Sequence, residues 1–444
     1  MHNPSRPKPP RRRFLQAAAA AAAAASALVL PRAGRADIPI SVGARLSADF
    51  DPVAAMWLGF DEGHAAFTAD LFDALWPHVP IKMLVRDADA EIKARALFRY
   101  RGHDPDQVQF VQDARAPYFV RDGAVFGLDG KNRKFIVDFQ WTYYGWTNWC
   151  RRTFVGNGMQ ATNCARTADH ETGALDQRFA RALGLALFRS PLAIEGGGVE
   201  VNGQGLLIAN TSLWSGRNRG MSRDAIEQEI RRLPGIRKVI WLPSGLAQDP
   251  LHRATITGSY VGWGTGGHTD EFVRFADART VLLAWADETE ARQHPVARLN
   301  QRRREINFDI LSGSTDQNGK PLRVIKVPLP RTIERPVVLS AGADTAYSTQ
   351  WTAASFPLRE GRREGATVQQ VATSSYLNHV LANGLVLLPD YVAHGTPAQR
   401  QDQVCEIYQS VFPGRKIQLI NAVNANWTGG GAHCATLSEP AVPA

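Results

Sequence analysis

The chain has 444 residues, 44% of them apolar, and a formal net charge of +9. Seven cations (Arg6, Lys8, Arg11, Arg12, Arg13, Arg32 and Arg35) and no acid fall in the first 36 residues, so the remaining 408 carry only +2. The basic balance therefore belongs to a leader. That removes the main support for nucleic-acid binding, while the remaining length is enough to bury a large core.

The leader reads as an export signal. Arg11-Arg12-Arg13-Phe14-Leu15-Gln16 is followed by an alanine-rich run and by Leu28, Val29 and Leu30, and Ala36 precedes Asp37 at a small-residue cleavage site. This pattern is that of a twin-arginine (Tat) signal. The run is too short and too rich in alanine to span a bilayer well, and no later segment is apolar enough to do so. The expected organisation is a Tat-type signal over 1–36 and one domain over 37–444. The domain would be exported folded by the Tat machinery, to the periplasm or beyond, with no membrane contact after signal cleavage.

Beyond the leader, Phe119-Val120-Arg121-Asp122-Gly123 is the first segment with chemical character, followed by an aromatic run from Trp141 through Trp146 to Trp149. Four cysteines occur without a CxxC pair, which argues against a structural zinc site. Cys150 and Cys164 are close enough in sequence to form a disulfide in an oxidising compartment, and Cys405 lies in a predicted helix as a small apolar residue. Glu195 opens a glycine run, and Val199–Val201, Gly203–Gly205 and Leu206–Ile208 then read as a hairpin that would hold it rigidly. The pattern predicts a helix from Ser222 to Leu233, capped by Ser222, and strands at Lys238–Leu242 and Thr280–Trp285. A helix from Pro397 to Phe412 and a strand at Lys416–Ile420 follow. Helices alternate with short strands throughout, so the class is α/β or α+β. No internal repeat is evident.

The chemistry concentrates at glycine turns. Trp427-Thr428-Gly429-Gly430-Gly431-Ala432-His433-Cys434 places a cysteine behind a turn that lets backbone approach a substrate closely. Gly267-His268-Thr269-Asp270-Glu271 and Glu195-Gly196-Gly197-Gly198 supply a histidine and carboxylates. A thiol beside several carboxylates suits a cationic electrophile such as a guanidinium better than a neutral peptide carbonyl. A cationic substrate or a nearby histidine favours the thiolate form.

These segments resemble the agmatine deiminase and bacterial-type peptidylarginine deiminase family. The resemblance runs in order through Phe119–Gly123, Phe139-Gln140-Trp141 with Tyr144-Gly145-Trp146, Glu195-Gly196-Gly197, Arg217-Asn218-Arg219, Gly267–Asp270, Tyr376-Leu377-Asn378 with Ala382-Asn383-Gly384, and Gly429–Cys434. It implies a pentein fold, an α/β propeller of five ββαβ-type modules with pseudo-fivefold symmetry. It also implies Cys434 as nucleophile, His268 as general acid and base, and Asp122, Glu195 and Asp270 as carboxylates that hold the guanidinium and orient the histidine. Family members are often homo-oligomers. Two departures stand out. Asp122 is followed by Gly123-Ala124-Val125 where the family usually has a spaced Gly-Pro, and the stretch Ala247–Gly266 before the histidine is longer than usual.

On this reading carboxylates grip the guanidinium fork. The thiolate adds to its central carbon, ammonia leaves with a proton from His268, and water activated by His268 releases a urea group from the covalent thiouronium. The route uses no metal and no organic cofactor. Gly430 and Gly431 are expected beside the substrate, with Trp141 or Trp146 lining the pocket mouth. His433 and Glu271 are set aside because adjacent side chains on an extended segment face opposite ways. The leading substrate is agmatine, giving N-carbamoylputrescine; the alternative is free or peptidyl arginine, giving citrulline, with Arg217 or Arg253 as candidates to receive a substrate carboxylate. An amidinotransferase and a non-catalytic guanidino-compound binding protein are weaker readings. A papain-type protease is rejected because its cysteine would come first in the chain.

Overall fold

Short apolar runs bounded by glycine and polar turns fold as strands buried on both faces, as parallel pairing under crossover helices requires. Leu206–Asn210 and Leu385–Pro389 are buried at every position. The computed structural model describes residues 42–146, 174–342 and 350–443. Residues 1–36 lie outside them, as do Cys150 and Cys164 and their expected pairing. Asp37–Ala444 is one compact unit.

One motif recurs five times in that unit. Val125–Leu128 runs antiparallel to Lys134–Gln140, the helix Leu175–Leu183 crosses over, and Ala186–Ala193 returns parallel. The same hairpin, helix and parallel strand appear at Val199–Val201, Leu206–Asn210, Arg223–Arg232 and Lys238–Leu242. They appear again at Val273–Phe275, Thr280–Trp285, Pro295–Ser312 and Arg323–Pro328, and at Val380–Ala382, Leu385–Pro389, Ala398–Val411 and Lys416–Ile420. The remaining copy joins the two ends of the unit. Thr436–Pro440 lies antiparallel to Val53–Gly59, which is followed by the helix Ala65–Leu75 and the parallel strand Ile81–Val85. The fold is the pentein α/β propeller. The copies share a backbone plan and not a residue pattern, which is why the sequence displays no repeat.

The predicted elements fall where the pattern puts them. Ser222 Oγ accepts the Ala225 N–H at 3.2 Å and starts the helix Arg223–Arg232. The strands Lys238–Leu242, Thr280–Trp285 and Lys416–Ile420 keep their sequence bounds.

The long stretch before His268 has a defined structure. Leu251–Thr257 and Tyr260–Thr265 form a hairpin that turns at Gly258, and Tyr260–Thr265 pairs parallel with Thr367–Val371, itself antiparallel to Glu334–Val338. This is a sixth sheet beyond the five modules, and its second strand ends directly before the Gly266-Gly267-His268 turn. Among the described residues no helix is long and apolar enough to cross a membrane.

Candidate active site

Each module contributes to one site at the same structural place, the turn that leads into its first strand. Asp122, Glu195, Asp270, Asn378 and Cys434 precede the strands that begin at Val125, Val199, Val273, Val380 and Thr436. Three of these turns are short 3-10 helices, Val120–Gly123, Gly196–Gly198 and Thr269–Glu271. The turns are tied together: the Arg121 N–H donates to the Cys434 carbonyl at 3.2 Å, and the Gly197 N–H donates to Asp122 Oδ1 at 3.1 Å.

Asp122, Glu195, His268, Asp270 and Cys434 are all buried, and they meet. Cys434 Sγ lies 3.4 Å from Asp270 Oδ2, and the sulfur and the carboxylate oxygens of Asp270 and Glu271 fall within 4.8 Å of one another. His268 Nε2 stands 3.3 Å from Glu195 Oε2, and its Nδ1 stands 3.7 Å from Asp122 Oδ1. Gly197 makes this possible. A Cβ there would sit 2.8 Å from His268 Nδ1, 2.9 Å from Asp270 Oδ2 and 3.2 Å from Asp122 Oδ1. Asp249, unremarked in the sequence, shapes the turn before the histidine by accepting the N–H groups of Gly267 (2.9 Å) and His268 (3.0 Å).

Buried charge concentrates at this site. Burial disfavours the charged form of His268, yet Asp122 and Glu195 outweigh it and raise its pKa to about 9. Burial likewise pushes Glu195 up, but Arg217 and His268 prevail and hold it at about 2. Asp122 is raised by burial and by the Asp270 and Glu195 charges. The Cys434 thiol is pushed well up by burial, Asp270, Glu271 and Asp122. His268 Nδ1, Asp270 Oδ1 and Glu271 Oε2 are buried without a hydrogen-bond partner, an expensive state for polar atoms unless a ligand completes them.

The neighbours of the other expected site residues are as follows. A Cβ on Gly430 would meet the Phe119 ring at 2.6 Å, and one on Gly431 would meet Asn378 Oδ1 at 2.5 Å, so both glycines make room for packing. Trp141 and Trp146 pack against other aromatics, Trp141 edge-on to Tyr144 and Trp146 edge-on to His252. Tyr144 reaches the carboxylates: its hydroxyl donates to Asp122 Oδ2 at 2.9 Å. Arg217 is buried against Glu195 and donates to the Thr265 carbonyl at 2.7 Å, so it is committed to the fold. Arg253 stacks on the Trp263 ring at 4.2 Å.

Glu271 and His433 face the site because their segments are turns, not extended strands. Glu271 Oε1 accepts from Asn378 Nδ2 at 2.9 Å and lies 3.8 Å from Cys434 Sγ. Asn378 also donates to the sulfur at 3.1 Å and accepts the His433 N–H at 2.8 Å, so it fixes the cysteine loop. The sequence signal for Asn378 was present in the Tyr376-Leu377-Asn378 motif; its role was not.

The fold and the ring of carboxylates about a thiol define a guanidine-modifying hydrolase. The family model for the Porphyromonas-type peptidyl-arginine deiminase matches residues 45–440, and the chain belongs to that family. It is 26% identical over 418 residues to an agmatine deiminase of Ectopseudomonas mendocina, covering 91% of this chain and 97% of that one. It is 23% identical to an agmatine deiminase of Medicago truncatula, covering 91% and 98%. The solved agmatine deiminase of Enterococcus faecalis superposes with a TM-score of 0.66 at 22% identity over 91% of this chain and 98% of its own.

The His268–Glu195 pair sets a pH window for stability. A raised histidine contributes fully below its unfolded value of 6.5 and loses that contribution as pH rises through about 9. A depressed Glu195 contributes above 4.5 and is lost as pH falls through about 2. The thermal midpoint should fall between pH 6.5 and 9 in the native protein and fall less in His268→Gln. Equal slopes in the two proteins, measured by calorimetry, would remove His268 as the source.

Proposed function

We propose that the protein hydrolyses the guanidinium group of agmatine to N-carbamoylputrescine and ammonia. The observation that carries this reading is a buried thiol beside the Asp270 and Glu271 carboxyl groups, each of which has one buried oxygen without a hydrogen-bond partner. A planar guanidinium supplies the donors those oxygens lack. Its arrival offsets the carboxylates that hold the Cys434 thiol up, so the substrate itself promotes the thiolate.

The Cys434 proton passes to solvent as the substrate binds, and the thiolate attacks the guanidinium carbon. Imidazolium His268 then gives its proton to the departing nitrogen, ammonia leaves, and an S-alkylthiouronium remains on Cys434. Neutral His268 next removes a proton from water. Hydroxide adds to the same carbon, the C–S bond breaks to restore the thiolate, and the ureido product leaves after its O–H proton passes to solvent or to the released ammonia. Glu195, already neutralised by Arg217, orients His268, while Asp270 and Asp122 receive the substrate N–H groups.

Agmatine is favoured over arginine because Arg217 is committed to Glu195 and does not stand ready for an α-carboxylate. The names of relatives spanning nearly the whole chain support the same substrate. We also infer Tat-dependent export to the periplasm, supported by Arg11-Arg12-Arg13 ahead of the alanine run; a reporter fusion with Arg11 to Arg13 replaced by lysine should stay in the cytoplasm.

The test of substrate is a panel of agmatine, free arginine and an arginine-containing peptide, read as ammonia and ureido product. Agmatine should give the highest kcat/KM. Preference for the peptide would move the enzyme to citrullination, and no turnover of any guanidino compound would reject deimination.

A further inference from the structure

His433 lies beside the proposed nucleophile and has no part in the steps above. It is almost fully buried, and both ring nitrogens are engaged: Nδ1 meets Asp270 Oδ2 at 2.7 Å and Nε2 meets Asp49 Oδ2 at 2.8 Å. The ring therefore bridges Asp270 and Asp49, and it cannot turn or shift without losing one of them.

Both carboxylates are held in their charged form. Burial raises Asp49, but Arg121, His433 and Arg274 draw it well below the usual range. Arg121 Nη1 reaches Asp49 Oδ1 at 3.0 Å, and Arg274 Nη2 reaches Asp49 Oδ2 at 2.8 Å. Burial also raises Asp270, and His433, His268 and Arg274 bring it down. The titratable and charged groups about His433 are thus Asp270, Asp49, Cys434, Arg274 and His379, with Arg121 behind Asp49.

The Asp270 oxygen that His433 holds is the one nearest the thiol, 3.4 Å from Cys434 Sγ. Its other oxygen, Oδ1, is the buried atom without a partner. We propose that His433, clamped between Asp49 and Asp270, is a positioning residue: it anchors Oδ2 so that Oδ1 faces the guanidinium. This role rests on the deiminase reading of the site.

The test uses the full chain and compares native protein, His433→Gln and Asp49→Asn for agmatine turnover across pH. Glutamine keeps the bulk and can donate, but it cannot bridge both carboxylates. In His433→Gln, kcat/KM should fall roughly 100-fold through misplacement of the gripping carboxylate, with KM up at least about tenfold. The acid limb of kcat/KM should move upward, because Asp270 loses the His433 contact that lowers it. A purely structural role would lower the yield of active enzyme and leave KM and the acid limb in place, and that result overturns the proposal. If His433→Gln does not fold, Asp49→Asn decides, since it leaves His433 present with one anchor gone: KM and the acid limb should both rise, and their constancy overturns the proposal equally. Native protein that turns over no guanidino compound rejects the deiminase reading itself, an outcome separate from either variant result.

Discussion

Replacing Cys434 by alanine should lower kcat by roughly a million-fold, the scale of losing a covalent nucleophile. No neighbour can stand in. The groups around Sγ are the carboxyl groups of Asp270 and Glu271 and the Asn378 amide, and burial and the Asp270 charge push Glu271 well above the usual range. His268 is engaged with Glu195 and Asp122 and keeps its proton to about pH 9. Cys405→Ala is the matched control: that thiol is a partly buried helix residue raised by burial, and its loss should leave kcat unchanged. Ammonia release checks the rate, and mass spectrometry of quenched enzyme should find the thiouronium adduct on native protein alone. Turnover in Cys434→Ala within tenfold of native would sink covalent catalysis here.

Gly197→Ala should cost roughly 100-fold or more in kcat/KM although it adds a single methyl group. That methyl would press on His268 Nδ1, Asp270 Oδ2 and Asp122 Oδ1 together. All three belong to buried, well-packed side chains, so at least one must leave its place. The stability cost should stay within about 1–3 kcal/mol, as for overpacking elsewhere, because the turn itself keeps its backbone bonds. Gly414→Ala, where an added Cβ meets open space, should change neither quantity. Steady-state kinetics with a thermal melt on both variants separates a displaced site from a destabilised fold; unaltered kcat/KM in Gly197→Ala would mean that the three groups need not converge.

The sequence revealed elements better than their arrangement. Lys238–Leu242, Thr280–Trp285 and Lys416–Ile420 were readable because β-branched and apolar runs end at polar turns. The fivefold plan was not readable from the residues, since each module keeps a backbone path and fills it with different side chains; only the family resemblance implied it. Cys434, His268, Asp270, Glu195 and Asp122 could be singled out because each sits by a glycine in a motif. Glu271 and His433 were set aside on the assumption of extended backbone, whereas Thr269–Glu271 is a 3-10 turn and His433 lies in a chain of turns after Thr428. The site placement of Tyr144, the commitment of Arg217 to Glu195, and the work of Gly430 and Gly431 in seating Phe119 and Asn378 are tertiary facts. No local pattern encodes them.

The closing strand has a consequence for how the molecule comes into being. Thr436–Pro440 completes the sheet that begins at Val53, and Glu439 is fastened there by Trp57 Nε1 (3.0 Å), Lys82 Nζ (2.8 Å) and Lys134 Nζ (2.6 Å). Such pairings span almost the whole chain, and contacts of that separation form late because a long loop must close first. The nucleophile lies only two residues before this strand. A chain that stops short of Cys434 therefore lacks both the strand that completes this sheet and the sulfur. Assembly and the switching-on of chemistry are one event.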